Sequence, residues 1–144
     1  MTDRPLSRSD YVEFHSITTR WMDNDIYGHV NNVTYYSYFD TAVNHYLIKT
    51  GGLNIKTGSV IAYVVDSRCS YLKSIAYPDE LEVGLRVNRL GNSSVEYGLA
   101  IFRRGETEAC ASGSFVHVFV NRAEEKSVPI PEGIRVALQR LKSD

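Results

Sequence analysis

One segment restricts the fold of this chain more than any other: residues 32–50, NVTYYSYFDTAVNHYLIKT. Tyr36, Phe39, Val43, Tyr46 and Leu47 recur at i, i+3, i+7, i+10 and i+11, the period of an α-helix. Tyr35, Tyr38 and Ala42 widen that stripe almost all the way round, and a helix apolar on nearly every side belongs inside a protein. Gly51-Gly52 ends it. Every other long segment reads as strand. YVEFHSITTRW (11–21) is β-branched and aromatic, and SVIAYVVDSRCSYL (59–72) is rich in Val, Ile and Tyr. In ELEVGLRVNR (80–89), Leu81, Val83, Leu85 and Val87 alternate with polar or small residues. SVEYGLAIFRR (94–104) and TEACASGSFVHVFVN (107–121) follow after the short turns Gly91-Asn92-Ser93 and Gly105-Glu106. Such connections predict antiparallel pairing. Pro129-Ile130-Pro131 leads into a last amphipathic stretch, with Ile134, Ala137, Leu138 and Leu141 at helical spacing. The spacing predicts a short C-terminal helix with Pro131 in its first turn.

The expected fold is therefore α+β: one buried helix wrapped by a long antiparallel sheet, plus a short C-terminal helix. With 144 residues the chain fits a single domain over 1–144, with residues 1–10 loose. Ala109, Ala111, Ser112 and Gly113 are small, as a strand crossing closely over a helix requires. One helix does not cover every apolar face and edge of five long strands. An edge as apolar as residues 59–65 invites pairing with another chain, so the sequence predicts self-association.

Several function classes are disfavoured. Net charge is −1 with acids and bases interspersed, and no basic stripe marks a nucleic-acid or anionic-membrane surface. No apolar run approaches the ~20 residues of a membrane span. The polar start MTDRPLSRSD lacks a signal-peptide core, and a cytoplasmic location is expected. Cys69 and Cys110 match no zinc or CxxC spacing and read as reduced, buried small side chains.

The chemistry concentrates just before the helix, in WMDNDIYGHVNN (21–32). The first turn of a helix leaves backbone N–H groups unpaired and favours negative charge there. Such groups near Asn32 suit the oxyanion formed when a carbonyl is attacked. Asp25 stands seven residues upstream, Gly28 permits the turn between them, and His29 and Asn32 supply hydrogen bonds. A carboxylate beside an oxyanion site suits acyl-group hydrolysis, by direct attack or by activating water. Asn32, Tyr36 and Asp40 share one helix face. A carboxylate at Asp40, between Phe39 and Val43, is costly unless paired or functional. A plainer reading stays open: Asp23, Asn31 and Asn32 are also good cap and turn residues. Asp25 and His29 alone do not make a metal site. His15, His45 and His117 read as structural, and Arg103-Arg104 as a solvated hairpin tip.

The pattern D-x-D-x-x-G-H-V-N-N-x-x-Y-x-x-Y-x-D resembles the hotdog-fold thioesterases of the 4-hydroxybenzoyl-CoA thioesterase type. Tyr71, Tyr77-Pro78-x-Glu80-Leu81-x-Val83, Gly91-x-Ser93-Ser94-Val95 and Pro129-Ile130-Pro131 extend the likeness over roughly residues 12–141. The resemblance implies acyl-CoA thioesterase activity on a small or medium acyl group. It implies Asp25 as nucleophile or general base, the backbone N–H at Asn32 as oxyanion donor, and His29 as a positioning residue. Asp40 is a further catalytic candidate, for orienting water. Tyr27, Gly28 and Tyr36 are expected to line the acyl site. In hydroxybenzoyl members, basic residues in the turn matching Gly91-Asn92 contact the CoA nucleotide. This chain departs from that pattern, with Gly91 and Asn92 there, so the expected contacts are Arg89, Ser93 and Ser94 beside the turn, with the Arg103-Arg104 tip as a second source of positive charge. No metal or redox cofactor is implied, coenzyme A being part of the substrate, and the family assembles as homodimers or homotetramers. Two alternatives remain: a thioesterase acting on acyl-carrier protein, disfavoured by the near-neutral charge, and a non-catalytic acyl-CoA-binding protein, disfavoured by the acid at Asp25.

Overall fold

The helix forms where its period predicted. In the computed structural model, which describes residues 6–142, α1 spans Asn32–Lys49 and buries Tyr35, Tyr38, Phe39, Ala42, Val43, Tyr46 and Leu47. Five strands surround it: β1 (Glu13–Thr18), β2 (Val60–Tyr71), β3 (Glu80–Leu90), β4 (Ser94–Arg103) and β5 (Ala111–Asn121). They make one antiparallel sheet in the order β1-β3-β4-β5-β2. The last helix, α2 (Glu132–Gln139), buries Ile134, Ala137 and Leu138, with Pro131 as its N-cap, one position earlier than expected. This is the hotdog arrangement.

Wrapping depends on close approach at β5. A Cβ on Gly113 would lie 2.8 Å from the Phe39 ring and 2.0 Å from the Arg68 carbonyl oxygen, so only glycine fits. Ala111 also joins the core around the helix. The other two small residues have different roles. Ser112 pairs with Ala100 on the opposite face of the sheet, and Ala109 packs in a second cluster there with Tyr11, Ala100 and Phe102.

That second cluster corrects the expectation that residues 1–10 are loose. Residues 1–5 lie outside the described residues, but Leu6–Asp10 is held firmly. Leu6 packs on the outer cluster, and the Arg8 guanidinium stacks over Phe14 and Phe102 at 5.3 and 5.1 Å while pairing with Glu82. The same segment explains why β5 begins at Ala111 and not at Thr107. Backbone groups at 107–109 bond to it: Arg8 N–H donates to the Thr107 carbonyl and Ala109 N–H to the Leu6 carbonyl. β1 is also shorter than predicted, because Trp21–Asp23 closes into a 3₁₀ turn.

The helix is less enclosed than its sequence implies. Val33, Ser37, Asp40, Thr41, His45 and Ile48 are exposed, and so are Tyr63, Val64 and Val65 on the edge strand β2. One helix flank and one sheet edge thus remain open side by side. The β2 edge also bulges between Val64 and Asp66.

Candidate active site

The loop between β1 and α1 is built on Asp23. Its side chain is 2% exposed. Oδ2 accepts from the Tyr38 hydroxyl (2.7 Å) and the Arg20 N–H (2.9 Å), and Oδ1 accepts from Arg20 Nε and Nη2. Its carbonyl accepts from Asn31 N–H at 2.9 Å. Burial alone would raise the carboxyl pKa, but Tyr38 and Arg20 outweigh it and hold the group below its ordinary value. Asp23 is therefore the structural acid of the D-x-D pair.

Asp25 is the uncommitted one. Residues 24–30 form a small hairpin, with Asn24 bridged to Val30. Asp25 N–H donates to the His29 carbonyl and Gly28 N–H to the Asp25 carbonyl. Gly28 takes φ +81°, a left-handed conformation that explains glycine there. Asp25 Oδ1 accepts from Tyr27 N–H at 2.9 Å, whereas Oδ2 has no partner among the described residues. Ile26 and Tyr27 stand at the tip, 93% and 78% exposed.

Asn31 is the helix N-cap. Its Oδ1 accepts from Val33 N–H at 3.0 Å, and its carbonyl accepts from Thr34 N–H at 2.9 Å. Asn32 N–H is left without a partner among the described residues. It is the donor such a helix start offers to an anion.

Residues of the hairpin line two clefts. One, of about 420 Å³, is lined by Trp21, Met22, Asn24, Asp25, Ile26 and Gly28. The other, of about 230 Å³, has His29, Asn32, Tyr35, Tyr71 and Lys73 in its wall. Within one protomer Asp25 lines the first cleft and Asn32, which carries the helix-start donor, lines the second, at the two ends of the same short segment. Tyr27 stands on the rim, outside both linings.

Five expected residues fall elsewhere. Asp40 is exposed and accepts from Asn44 Nδ2 at 3.0 Å. It is eight residues, about 12 Å of helix, from Asn32, so the argument from costly burial does not apply to it in one protomer. Tyr36 is half-buried against Phe39 and lines neither cleft. Arg89, Ser93 and Ser94 surround the β3–β4 turn, which is tied to β5 and to Ile130. The loop instead meets the far end of β3 through Thr19 and Asp79. An eleven-residue strand, about 35 Å long, separates the two ends.

The Arg103-Arg104 tip is not simply solvated. Arg103 is half-buried and binds Asp79, Glu106 and the Ser74 carbonyl, and Arg104 pairs with Glu80 at 2.5 Å. Both cations are already matched by acids. Cys110 is buried, but Cys69 is only half-buried, a correction to its expected place. Burial pushes the Cys69 thiol up to about 11 and raises that of Cys110, so neither is a thiolate nucleophile at neutral pH. His117 is buried against Tyr97 and aromatic neighbours, and His15 stacks on the exposed His45 at 4.3 Å.

Sequence reasoning missed Tyr35, Tyr71 and Lys73 as cleft residues. Tyr35 belongs to the buried stripe. Tyr71 ends β2 and Lys73 follows it, 39 or more positions from the loop, and no local spacing links them to it.

Comparison with known proteins agrees with this architecture. Residues 19–138 match the model of the thioesterase-like superfamily. The PA5185 protein of Pseudomonas aeruginosa strain PAO1 is 58% identical, with a TM-score of 0.96 over 97% of this chain and 98% of that one. PA2801 of Pseudomonas aeruginosa, named as a candidate thioesterase, is 31% identical with a TM-score of 0.81 over 89% and 98%. Slr0204, a 1,4-dihydroxy-2-naphthoyl-CoA thioesterase from Synechocystis, shares the fold at 18% identity and a TM-score of 0.79 over 88% and 94%. No described helix is long and apolar enough to cross a membrane. A family match across most of the chain, on a backbone this closely superposable, fixes its membership: the chain belongs to the thioesterase-like superfamily and is a hotdog-fold thioester hydrolase.

Proposed function

We propose that the protein hydrolyses acyl-CoA, releasing the carboxylic acid and coenzyme A, at the hairpin in front of α1. The observation that carries this reading is the pairing of an uncommitted Asn32 N–H at the helix start with an uncommitted Asp25 Oδ2 on the adjoining hairpin. Asp25 attacks the thioester carbonyl or takes a proton from attacking water. Asn32 N–H stabilises the oxyanion, assisted by the helix dipole. His29, whose carbonyl holds Asp25 N–H, positions the carboxylate and the substrate. The apolar side chains Trp21, Met22 and Ile26 beside Asp25 suit an acyl group.

The reading includes a second copy of the chain. Antiparallel pairing of two β2 edges would cover Tyr63, Val64 and Val65. It would also bring the partner's β3–β4 turn to the end of the sheet where Tyr71 and Asn32 lie. Three strand spacings separate that turn from β2, about 14 Å, within reach of an extended coenzyme A. Arg89, Ser93 and Ser94, remote from the site of their own protomer, would then serve the neighbouring one. A cytoplasmic homodimer or homotetramer acting on a soluble acyl-CoA is the resulting picture.

The test is thiol release from a panel of acyl-CoAs by wild type and Asp25→Asn. The variant keeps the shape and removes the basic oxygen. Turnover should fall at least ~100-fold, the lower end for a positioned acid–base group, with an unchanged melting temperature. Near-normal turnover by a folded Asp25→Asn protein would end the assignment.

A further inference from the structure

The segment leaving β2 touches the helix start at two points, and they flank the Asn31–Asn32 peptide. On one side, Val30 N–H donates to the Ile75 carbonyl at 2.7 Å. On the other, the Tyr71 hydroxyl donates to the Asn32 carbonyl at 3.1 Å. That carbonyl lies in the first turn of α1 and has two lone pairs, one of which the phenol takes. Tyr71 is itself well held. It pairs with Ala111 across β2–β5, packs edge-to-face on Tyr35 with centroids 4.8 Å apart, and is followed by two N–H groups bonded to the Cys110 carbonyl. The residue is 46% exposed, so burial does not force its hydroxyl to seek a protein acceptor. Partial desolvation of the hydroxyl, then Cys69 and Tyr36 nearby, raises the phenol pKa, and it remains a donor through the neutral range.

We propose that Tyr71 is a positioning residue for thioester cleavage: by donating to the Asn32 carbonyl, it fixes the first turn of α1 and with it the unpartnered Asn32 N–H at the cleft wall. The Asn32–Val33 peptide is then held at both ends, by Tyr71 at its oxygen and by the Asn31 side chain at its nitrogen. The neighbouring Asn31–Asn32 peptide, which carries the oxyanion donor, is held by Thr34 N–H on the Asn31 carbonyl. A donor that need not reorganise when charge develops is more effective than one that must. The inference rests on the proposed role of the helix start, but it concerns a separate residue.

The experiment compares wild type with Tyr71→Phe, which keeps the ring on Tyr35 and removes one oxygen. Removing one hydrogen bond of this kind should lower kcat about 5- to 10-fold, with KM within twofold and an unchanged melting temperature. In ¹⁵N–¹H spectra without substrate, the amide resonances of Asn32 and Val33 should shift and exchange faster with solvent. Unchanged kcat, or a raised KM with unchanged kcat, overturns the inference and makes Tyr71 only a wall of the cleft. Undisturbed amides at Asn32 and Val33 overturn it as well. If wild type hydrolyses no acyl-CoA, the functional reading fails by itself. Perturbed amides would then still establish the link between Tyr71 and the helix start.

Discussion

Replacing Asp23 by Asn tests the division of labour between two acids only two residues apart. The Asp23 carboxylate accepts four hydrogen bonds, two on each oxygen. An amide supplies one oxygen and one NH₂ group, so one pair of donors must face another donor. The Arg20 side chain, 63% exposed, can swing into water, and its ion pair is worth at most about 1 kcal/mol. Tyr38 is buried and its bond loses the charge that strengthens it, while a buried unsatisfied N–H costs about 1–3 kcal/mol. The sum is about 2–4 kcal/mol. A chain of this length then loses roughly 5–15 °C of melting temperature. Thermal unfolding followed at one protein concentration measures this, and turnover taken well below the transition should stay within about threefold of wild type. An unchanged melting temperature would refute the packing argument. A normal melting temperature with a 100-fold loss of turnover would move the chemistry from Asp25 to Asp23. The acid side gives a second check. The folded carboxyl titrates below its ordinary value, so its stabilisation is complete at neutral pH and disappears as pH falls through the folded pKa. Asp23→Asn should lack that step.

Two further outcomes are expected. Burial pushes the pKa of His117 down from 6.5 to about 4, so between those values the unfolded chain binds a proton that the folded chain refuses, and stability drops by about 3 kcal/mol as pH falls. His117→Gln, which can still bond the Tyr97 hydroxyl, should lose that slope in urea titrations at pH 7 and pH 4.5, and a parallel slope in both proteins would refute it. On the open edge of β2, sedimentation of wild type should show no monomer at micromolar concentration. Val65→Lys, which places a charge on the edge, should release monomers, and a stable, active wild-type monomer would contradict the shared interface.

Sequence made the fold legible because α1 and β2–β5 carry strong periods. The helix stripe and the alternation in β3 each leave one arrangement that buries the apolar side chains. Boundaries failed where a distant segment intervened. Residues 107–109 are β-like in composition but are occupied by Leu6–Arg8, a pairing across 100 positions that local pattern does not contain. The candidate site was legible where it is local. Asn31 caps the helix, Gly28 makes the turn, and the unpartnered N–H falls at Asn32 as helix geometry requires. Asp40 is exposed, against the burial expected from its place beside Phe39 and Val43, because the sheet leaves that flank of α1 uncovered. Tyr71 was missed because its contact with Asn32 exists only after β2 folds back along the helix. Asp23 and Asp25 differ in burial and in hydrogen-bond partners, which the letters D-x-D by themselves do not encode.

The ribbon of residues 24–30 has a consequence for how this protein diversifies. On the proposed function, the residues that would meet an acyl group, Trp21, Met22 and Ile26, line one cleft beside it, and Tyr35 and Tyr71, which pack at the helix start, line the other. These are different residues on different elements, so their substitutions are separable. Exchanging Ile26 for a larger or smaller residue alters a 93% exposed tip and leaves every hydrogen bond at Asn31 and Asn32 in place. On the proposed function, apolar substitutions at this tip would change the acyl group accepted while the helix-start donor keeps its hydrogen bonds.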